Sequence, residues 1–272
     1  MIERKDVPVF TLHPGRIPLL VSIPHLGTCI PEDIASTMTD VASQTDDCDW
    51  HLDRLYSFAK HLGASIITPS YARYVIDLNR PPDDANLYPG QDTTGLVPVD
   101  TFDRKPLYLD GQLPGRPEIS RRRDIYWKPY HEALVGELAA LKQQHGVVLL
   151  WEAHSIRSQV PRLFDGILPD FNFGTAGGGS AVPGLAEEMA KIVEDYGSYS
   201  VVANGRFRGG YITREYGRPH EGIHAIQLEL AQRTYMDEDF PYAYDNSRAA
   251  LIEPLLERLV SRAVEAVRGT NR

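Results

Sequence analysis

The chain has 272 residues, with 42% hydrophobic residues, 24% charged residues and a formal net charge of −9. These values are ordinary for a soluble globular protein, and the acidic balance argues against nucleic-acid binding. Two cysteines give no disulfide framework. The N-terminal residues lack the apolar core of a secretory signal, and no apolar stretch approaches the roughly 20 residues that span a bilayer. We expect a cytoplasmic protein that binds neither nucleic acid nor membrane, with a homo-oligomer left open.

Apolar patterns predict strands and helices that alternate along the chain. The predicted strands lie near residues 18–23, 64–69, 73–78, 147–152, 199–204 and 223–230. The predicted helices lie near residues 49–62, 126–145, 181–196 and 246–268. This alternation predicts a single α/β domain over residues 1–272, with a mixed, mainly parallel central sheet and helices on both faces.

Residues 80–120 interrupt the alternation, because they contain many prolines and little apolar periodicity. A loop of this length inside a compact domain is usually either functional or disordered. We expect an ordered excursion that covers the functional site. A mobile surface loop is the alternative.

Two histidines follow apolar segments that read as buried strands. His25 follows residues 19–23, and His154 follows residues 147–150 together with Glu152. Ligands bind beyond the carboxyl ends of parallel strands, so both histidines are expected at the functional edge of the sheet. A catalytic metal site has about three protein ligands, and imidazole with carboxylate suits zinc and similar divalent ions. His25 and His154 are therefore predicted metal ligands, with hydrogen-bonded structural histidines as the alternative.

A third ligand is expected among the acids of residues 46–53. Acids at the start of a helix also cap it, but four acids exceed that need. We predict Asp49 as the carboxylate ligand, with Asp46 and Asp53 as alternatives. His51 is a weaker candidate.

Two further segments carry candidate catalytic residues. Residues 73–82 begin with Arg73 and contain Arg80, and arginine can hold a carboxylate in a bidentate grip or stabilise an oxyanion. Asp77 is expected to anchor a neighbouring basic side chain. In residues 223–230, polar Gln227 and Glu229 alternate with apolar residues and so share one face of a strand. Glu229 is the candidate general base, and a solubilising charge on an edge strand is the alternative.

A basic stretch holds Arg206, Arg208, Arg214 and Arg218 around two glycines. It is either a wall for an anionic substrate or an ordinary solvated loop, and the sequence does not decide between them. The substrate-binding residues predicted for the whole site are Asn79, Arg80, Arg214 and Arg157.

Six motifs follow one another in the order seen in N-formylglutamate amidohydrolases, and the chain resembles that family over roughly residues 20–235. The motifs are Pro24-His25-Leu26-Gly27, residues 49–56, residues 70–82 with Asp-Leu-Asn-Arg-Pro-Pro, residues 93–98, Glu152-Ala153-His154-Ser155 and residues 221–229. The family resembles zinc carboxypeptidases and aspartoacylase-like deacylases in the order of its catalytic residues along the chain. The resemblance therefore implies a zinc-carboxypeptidase-like fold.

The resemblance also implies roles for individual residues. His25 and His154 would bind the metal, and Arg73 would stabilise the oxyanion. Asn79 and Arg80 would hold a substrate carboxylate, and Glu229 would be the general base. One departure is Thr28, which occupies the position of a glutamate ligand in the carboxypeptidase pattern. The carboxylate ligand must then come from elsewhere, which makes Asp49 less secure than the histidines.

The activity implied by the resemblance is metal-dependent hydrolysis of N-formyl-L-glutamate, a small anionic substrate, to formate and L-glutamate in histidine degradation. Zinc is the expected divalent ion. Two alternatives stay open. One is a related metallohydrolase that acts on another N-acyl acidic amino acid or a small peptide. The other is a metal- or metabolite-binding protein without catalysis.

Overall fold

The structure is a computed structural model that describes residues 7–87 and 90–269. Its described residues form one seven-stranded sheet. The strands are β1 (Phe10–His13), β2 (Leu19–Ser22), β3 (Ser65–Pro69), β4 (Val148–Ile156), β5 (Phe171–Gly174), β6 (Val201–Ala203) and β7 (Ile223–Ala231).

The strand order across the sheet is β1-β3-β2-β4-β7-β5-β6. Strands β3, β2, β4 and β7 run parallel to one another, and β6 runs parallel to β5. Only β1 against β3 and β5 against β7 are antiparallel among the described strands. The prediction of a mixed, mainly parallel sheet is confirmed.

Helices cover both faces of this sheet. They are α1 (Glu32–Ala35), α2 (Leu52–Leu55), α3 (Phe58–Leu62), α4 (Arg116–Arg122), α5 (Lys128–His145), α6 (Leu185–Tyr196), α7 (Tyr211–Tyr216) and α8 (Asn246–Arg268). A π-helical turn at Arg123–Trp127 joins α4 to α5. Among the described residues, no helix combines the length and the apolar character that a membrane crossing requires.

Side-chain alternation in the central strands divides the apolar interior into two cores. Leu19 and Val21 pack on the face covered by α2, α3, α6 and α8. Leu20 and Leu150 pack on the opposite face, which is covered mainly by α5. The two-sided burial explains why β2 and β4 read as continuous apolar runs.

The prediction of a strand at residues 73–78 is wrong. Residues 73–75 form a turn, and the Asp77 N–H donates to the Leu96 carbonyl at 2.7 Å rather than to a neighbouring strand. The Asp77 carboxylate accepts the Asn79 N–H at 2.9 Å. The apolar residues of this segment are buried in the second core, so the composition resembles that of a strand although the backbone is a folded loop.

Other boundaries also differ from the predictions. The helix predicted at 49–62 begins at Leu52, because His51 has a left-handed backbone with φ 63°, and it is divided into α2 and α3. The helix predicted at 126–145 continues a helical segment that begins at Arg116. The short strands β1 and β5 were not predicted. Strand β4 extends to Ile156, so His154 lies within the strand and not after it.

Candidate active site

A cleft opens at the carboxyl ends of β2, β4 and β7. It measures about 610 Å³, including space that is open to solvent. The polar residues that line it include His25, Asp49, Arg73, Asn79, Arg80, Thr93, Thr94, His154, Arg206, Gln227 and Glu229. Most of the side chains proposed from the sequence therefore meet in one place.

His25, Asp49 and His154 form a buried group that could hold a metal ion. One ligand atom from each residue lies within 4.8 Å of the others. Asp49 Oδ2 is 3.0 Å from His154 Nδ1 and 3.8 Å from His25 Nδ1. Two ligand atoms of a tetrahedral zinc site are roughly 3.3 Å apart when the bonds are about 2.0–2.1 Å. The donor set and its spacing fit a divalent ion.

The backbone fixes Asp49 beside His25, because the Asp49 N–H donates to the His25 carbonyl at 2.9 Å. The other acids predicted as alternatives have different surroundings. Asp46 accepts a hydrogen bond from the Tyr242 hydroxyl, and Asp53 is exposed. The ring of His51 contacts the Tyr242 carbonyl at 2.7 Å.

A buried carboxylate lies behind each of the two histidines. His25 Nε2 is 2.7 Å from Asp77 Oδ1, and His154 Nε2 is 3.2 Å from Glu152 Oε1. Carboxylate–imidazole pairs of this kind orient metal-binding histidines and fix which nitrogen faces the metal. Both imidazoles accordingly present Nδ1 to Asp49, and Glu152 acts behind His154 rather than in the cleft.

The protonation of the two histidines differs. Burial, together with the charge of Arg73, lowers the pKa of His25 to about 4, so this imidazole is neutral. Burial opposes the charge on His154 as well, but hydrogen bonds to Asp49 and Glu152 raise the pKa of His154 well above 6.5. A metal and a proton compete for the same nitrogen, so metal binding at His154 would release a proton.

Glu229 lies beside this group because β7 pairs with β4 in a register that sets Glu229 opposite His154. The Gln227 side chain donates to Glu229 Oε2 at 3.5 Å, in keeping with their common face of the strand. Burial raises the pKa of Glu229 to about 8 against the opposing charge of His154. A carboxyl group with a pKa near neutrality is suited to take up and return a proton.

Arg73 lies on the metal-ligand side of the cleft. Its Nη2 donates to Asp77 Oδ2 at 2.6 Å, and its guanidinium lies over the Phe102 ring at 4.9 Å. Asp77 thus holds both Arg73 and His25, which is the anchoring role expected for it. The buried cation offers positive charge next to the group that could bind metal.

Asn79 and Arg80 form an adjoining wall. Asn79 Nδ2 lies 2.9 Å from His154 Nε2, and Asn79 Oδ1 accepts the Ile212 N–H at 2.9 Å. Gly210 packs directly on this side chain, since a Cβ atom there would lie 2.4 Å from Asn79 Nδ2. The Asn79 amide is therefore held from two sides.

Two arginines predicted to bind substrate lie elsewhere. Both Nη atoms of Arg157 donate to the Asp103 carboxylate, at 3.1 and 2.9 Å. Arg214 is exposed, and its Nε donates to the Gly209 carbonyl at 2.7 Å. Within the described ranges, neither belongs to the residues that line the cleft.

Other residues also line the cleft although the sequence does not single them out as site residues, and Arg206, Thr94 and Phe102 are among them. Arg206 belonged to the basic stretch, and its position just after β6 is the signal that could have separated it from Arg214. Thr94 and Phe102 come from the excursion at 80–120, where periodicity gives no signal. Their contribution depends on how that segment folds back over the sheet.

Comparison with known proteins agrees with this geometry. A family model described as N-formylglutamate amidohydrolase matches residues 17–236. An N-formylglutamate deformylase of Pseudomonas aeruginosa is 49% identical, over 93% of this chain and 96% of that protein. One from Pseudomonas putida is 48% identical, over 93% of this chain and 94% of that protein.

Solved structures extend the likeness to the fold. The crystal structure of an N-formylglutamate amidohydrolase from Ralstonia eutropha has a TM-score of 0.80 and 27% identity, covering 97% of this chain and 100% of that one. A gene product of Agrobacterium tumefaciens has a TM-score of 0.70 and 18% identity, covering 95% and 96%, and shows the fold alone. The sequence and family matches span most of the chain, and they show that it belongs to the N-formylglutamate amidohydrolase family.

Proposed function

We propose that the protein hydrolyses N-formyl-L-glutamate to formate and L-glutamate. The observation that carries the proposal is one cleft in which His25, Asp49 and His154 adjoin Glu229 and several arginines. The names of two relatives, each nearly half identical over most of the chain, support the same reaction.

The proposed metal ligands are His25, Asp49 and His154. A divalent ion held there would lower the pKa of a water molecule and polarise the formyl carbonyl. Zinc is the proposed ion, because two imidazoles and one carboxylate are among the ligand sets that leave an open position on catalytic zinc.

The remaining steps fall to side chains of the cleft. Glu229 takes a proton from the attacking water and passes it to the departing amine as the bond between the formyl carbon and nitrogen breaks. Arg73 stabilises the negative charge that develops on the carbonyl oxygen. Asn79 and Arg80 orient the substrate through a carboxylate. Arg157 and Arg214 have no part in this proposal, because they lie outside the lining of the cleft.

The test is formate release from N-formyl-L-glutamate by the purified protein before chelation, after chelation and after zinc is restored. We expect release that chelation removes and zinc restores. N-acetyl-L-glutamate and N-formylated dipeptides serve as comparison substrates and separate this activity from that of a related N-acyl hydrolase.

A separate experimental result would contradict each part of the proposal. Full activity after metal removal, verified by elemental analysis, would contradict metal dependence. A folded protein that releases no formate with any divalent metal would contradict the deformylase activity. Tight binding of N-formyl-L-glutamate in that case would favour a binding protein without catalysis.

A further inference from the structure

Arg206 brings a positive charge into the cleft from a part of the chain remote from Arg73 and Arg80. It lies in the loop between β6 and α7 and lines the cleft. Its Nε donates to the Leu163 carbonyl at 2.6 Å, and its guanidinium carbon is 5.5 Å from the centre of the Phe207 ring. The side chain is thus anchored by backbone and ring contacts at the edge of the cleft.

Arg80 approaches from another wall and has neutral partners. Its Nε donates to the Thr94 carbonyl at 2.9 Å, its Nη1 to the Asn79 carbonyl at 3.1 Å and its Nη2 to the Thr94 hydroxyl at 3.3 Å. No carboxylate of the described residues forms a close ion pair with it. Arg73 differs, because Asp77 already neutralises much of its charge.

Apolar side chains complete the lining. Leu163 and Phe207 lie on the side of Arg206, and Phe102 lies on the side of Arg73. Two cationic walls with apolar surface beside them complement a short chain that has a carboxylate at each end. A neutral side chain would give up a charge-assisted contact with one of the two arginines, so the cleft favours a substrate with two carboxylates.

We propose that Arg206 binds the side-chain carboxylate of the substrate and thereby selects N-formyl derivatives of acidic amino acids. Arg80 binds the α-carboxylate. The assignment of the two carboxylates follows from the positions of the arginines, since Arg80 adjoins Asn79, which contacts His154. The α-carboxylate is separated from the scissile bond by fewer atoms than the side-chain carboxylate, so it belongs nearer to that histidine. The inference rests on the proposed function and adds the residue that determines specificity.

The test compares N-formyl-L-glutamate with N-formyl-L-glutamine, which has the same shape and lacks the side-chain charge. Arg206 also lowers the pKa of Glu229, so activity on one substrate does not isolate its role. The ratio of kcat/KM values for the two substrates cancels that shared effect. We expect Arg206→Met to lower the ratio by about 10- to 100-fold, the usual worth of a hydrogen bond between charged groups.

Two further variants make the result specific. Arg80→Met should lower kcat/KM for both substrates and leave their ratio nearly unchanged, because both have an α-carboxylate. Arg208→Met is the matched control from the same loop, since Arg208 is exposed and lies outside the cleft lining. It should change neither value. Thermal unfolding of each variant checks that it folds. If Arg206→Met does not fold, Arg206→Gln replaces it, because glutamine also removes the positive charge.

Calorimetry measures the binding of L-glutamate and L-glutamine, and so tests without turnover whether Arg206 binds the side-chain carboxylate. Arg206→Met should weaken the binding of L-glutamate and leave that of L-glutamine little changed. If Arg206→Met changed neither the substrate ratio nor the binding of L-glutamate, the inference would be overturned. Formate release by the wild type would still support the proposed function in that case. Loss of selectivity in Arg80→Met rather than Arg206→Met would also overturn it. Absence of formate release would overturn the proposed function, and the binding comparison would still decide the role of Arg206.

Discussion

Gln227 and Glu229 show how a single side chain can position another. Gln227 Oε1 accepts the Gly210 N–H at 2.7 Å, while its Nε2 donates to Glu229 at 3.5 Å. The Glu229 carboxylate is thus linked to the loop that carries Arg206. Because Glu229 faces His154 across the sheet, its proton lies within reach of the group that could bind metal.

At this scale we predict that Glu229→Gln lowers kcat by about 10²- to 10⁴-fold, the usual contribution of general acid–base catalysis. The amide keeps the size of the side chain but cannot accept the proton from water. Steady-state kinetics, metal content and thermal unfolding are measured together. Metal content and folding should match the wild type, and near-normal turnover would remove Glu229 from the mechanism.

The described part of the excursion, residues 80–87 and 90–120, closes one side of the cleft, and ion pairs attach it to the segment after β4. Arg162 Nη1 donates to Asp100 Oδ1 and to the Thr101 carbonyl, each at 2.7 Å, and its Nε donates to Asp92 Oδ1 at 3.1 Å. The next residue, Phe102, donates its N–H to Asp47 Oδ2 at 2.9 Å. These bonds hold the Phe102 ring against Arg73.

Arg157 also connects the segment after β4 to the excursion. Its two bonds to Asp103 fasten the residue that follows Phe102, so its charge is used to hold the excursion. The sequence does not show which carboxylate the folded excursion brings to Arg157, because Asp103 is 54 residues away.

For this element we predict that Arg162→Leu lowers the free energy of unfolding by about 1–3 kcal/mol and raises KM. The Arg162 side chain is only 8% exposed, so its loss removes a buried donor from Asp100 and from the Thr101 carbonyl, and one of the two arginines from Asp92. Urea unfolding and steady-state kinetics measure the two effects. Arg104→Leu is the control, because Arg104 pairs with the same Asp92 but is 62% exposed. That pair should contribute at most about 1 kcal/mol, and equal losses in the two variants would contradict the attachment by Arg162.

Across the whole molecule, the sheet and the helix α5 enclose a histidine that supports the cleft from behind. His131 lies in the second core, its ring stacked on Trp127 with centroids 3.6 Å apart. Its Nε2 is 2.9 Å from the Leu78 carbonyl, and its Nδ1 is 2.8 Å from the Tyr216 hydroxyl. His131 thus joins α5 to the loop that contains Asp77, Asn79 and Arg80.

This burial makes the stability of the fold depend on pH. Burial lowers the pKa of His131 from 6.5 to about 3. Between these values the unfolded chain binds a proton at His131 that the folded chain does not, so the free energy of unfolding decreases as the pH falls below about 6.5. Each pH unit in that window costs about 1.4 kcal/mol for one such group.

Urea unfolding of the wild type and of His131→Gln between pH 7.5 and 4.5 measures this contribution. The variant should lose stability less steeply with falling pH, whatever its stability at pH 7.5. His25 has a lowered pKa as well and is present in both proteins, so only the difference between the two slopes reports on His131. Parallel pH profiles would contradict the assignment.

The fold class and the family can be predicted from the amino-acid sequence alone. Apolar runs at β2 and β4 mark strands buried on both faces, because a parallel sheet covered by helices leaves no polar alternation. The motifs around His25 and His154 gave the family resemblance, and the family match confirms it. Local patterns carry this information, since the spacing of apolar residues within a strand or a helix reflects which of its faces are buried.

Which side chains meet at the cleft depends on contacts between segments that are distant in sequence. Residues 73–78 have the composition of a strand, but hydrogen bonds from Asp77 to residues distant in sequence fold them into a loop. Asp49 rather than Asp53 lies near both histidines, and Arg206 rather than Arg214 lines the cleft. Strand order and loop packing decide these choices. They bring residues 25, 154 and 206 to one edge of the sheet, and no local periodicity encodes that convergence.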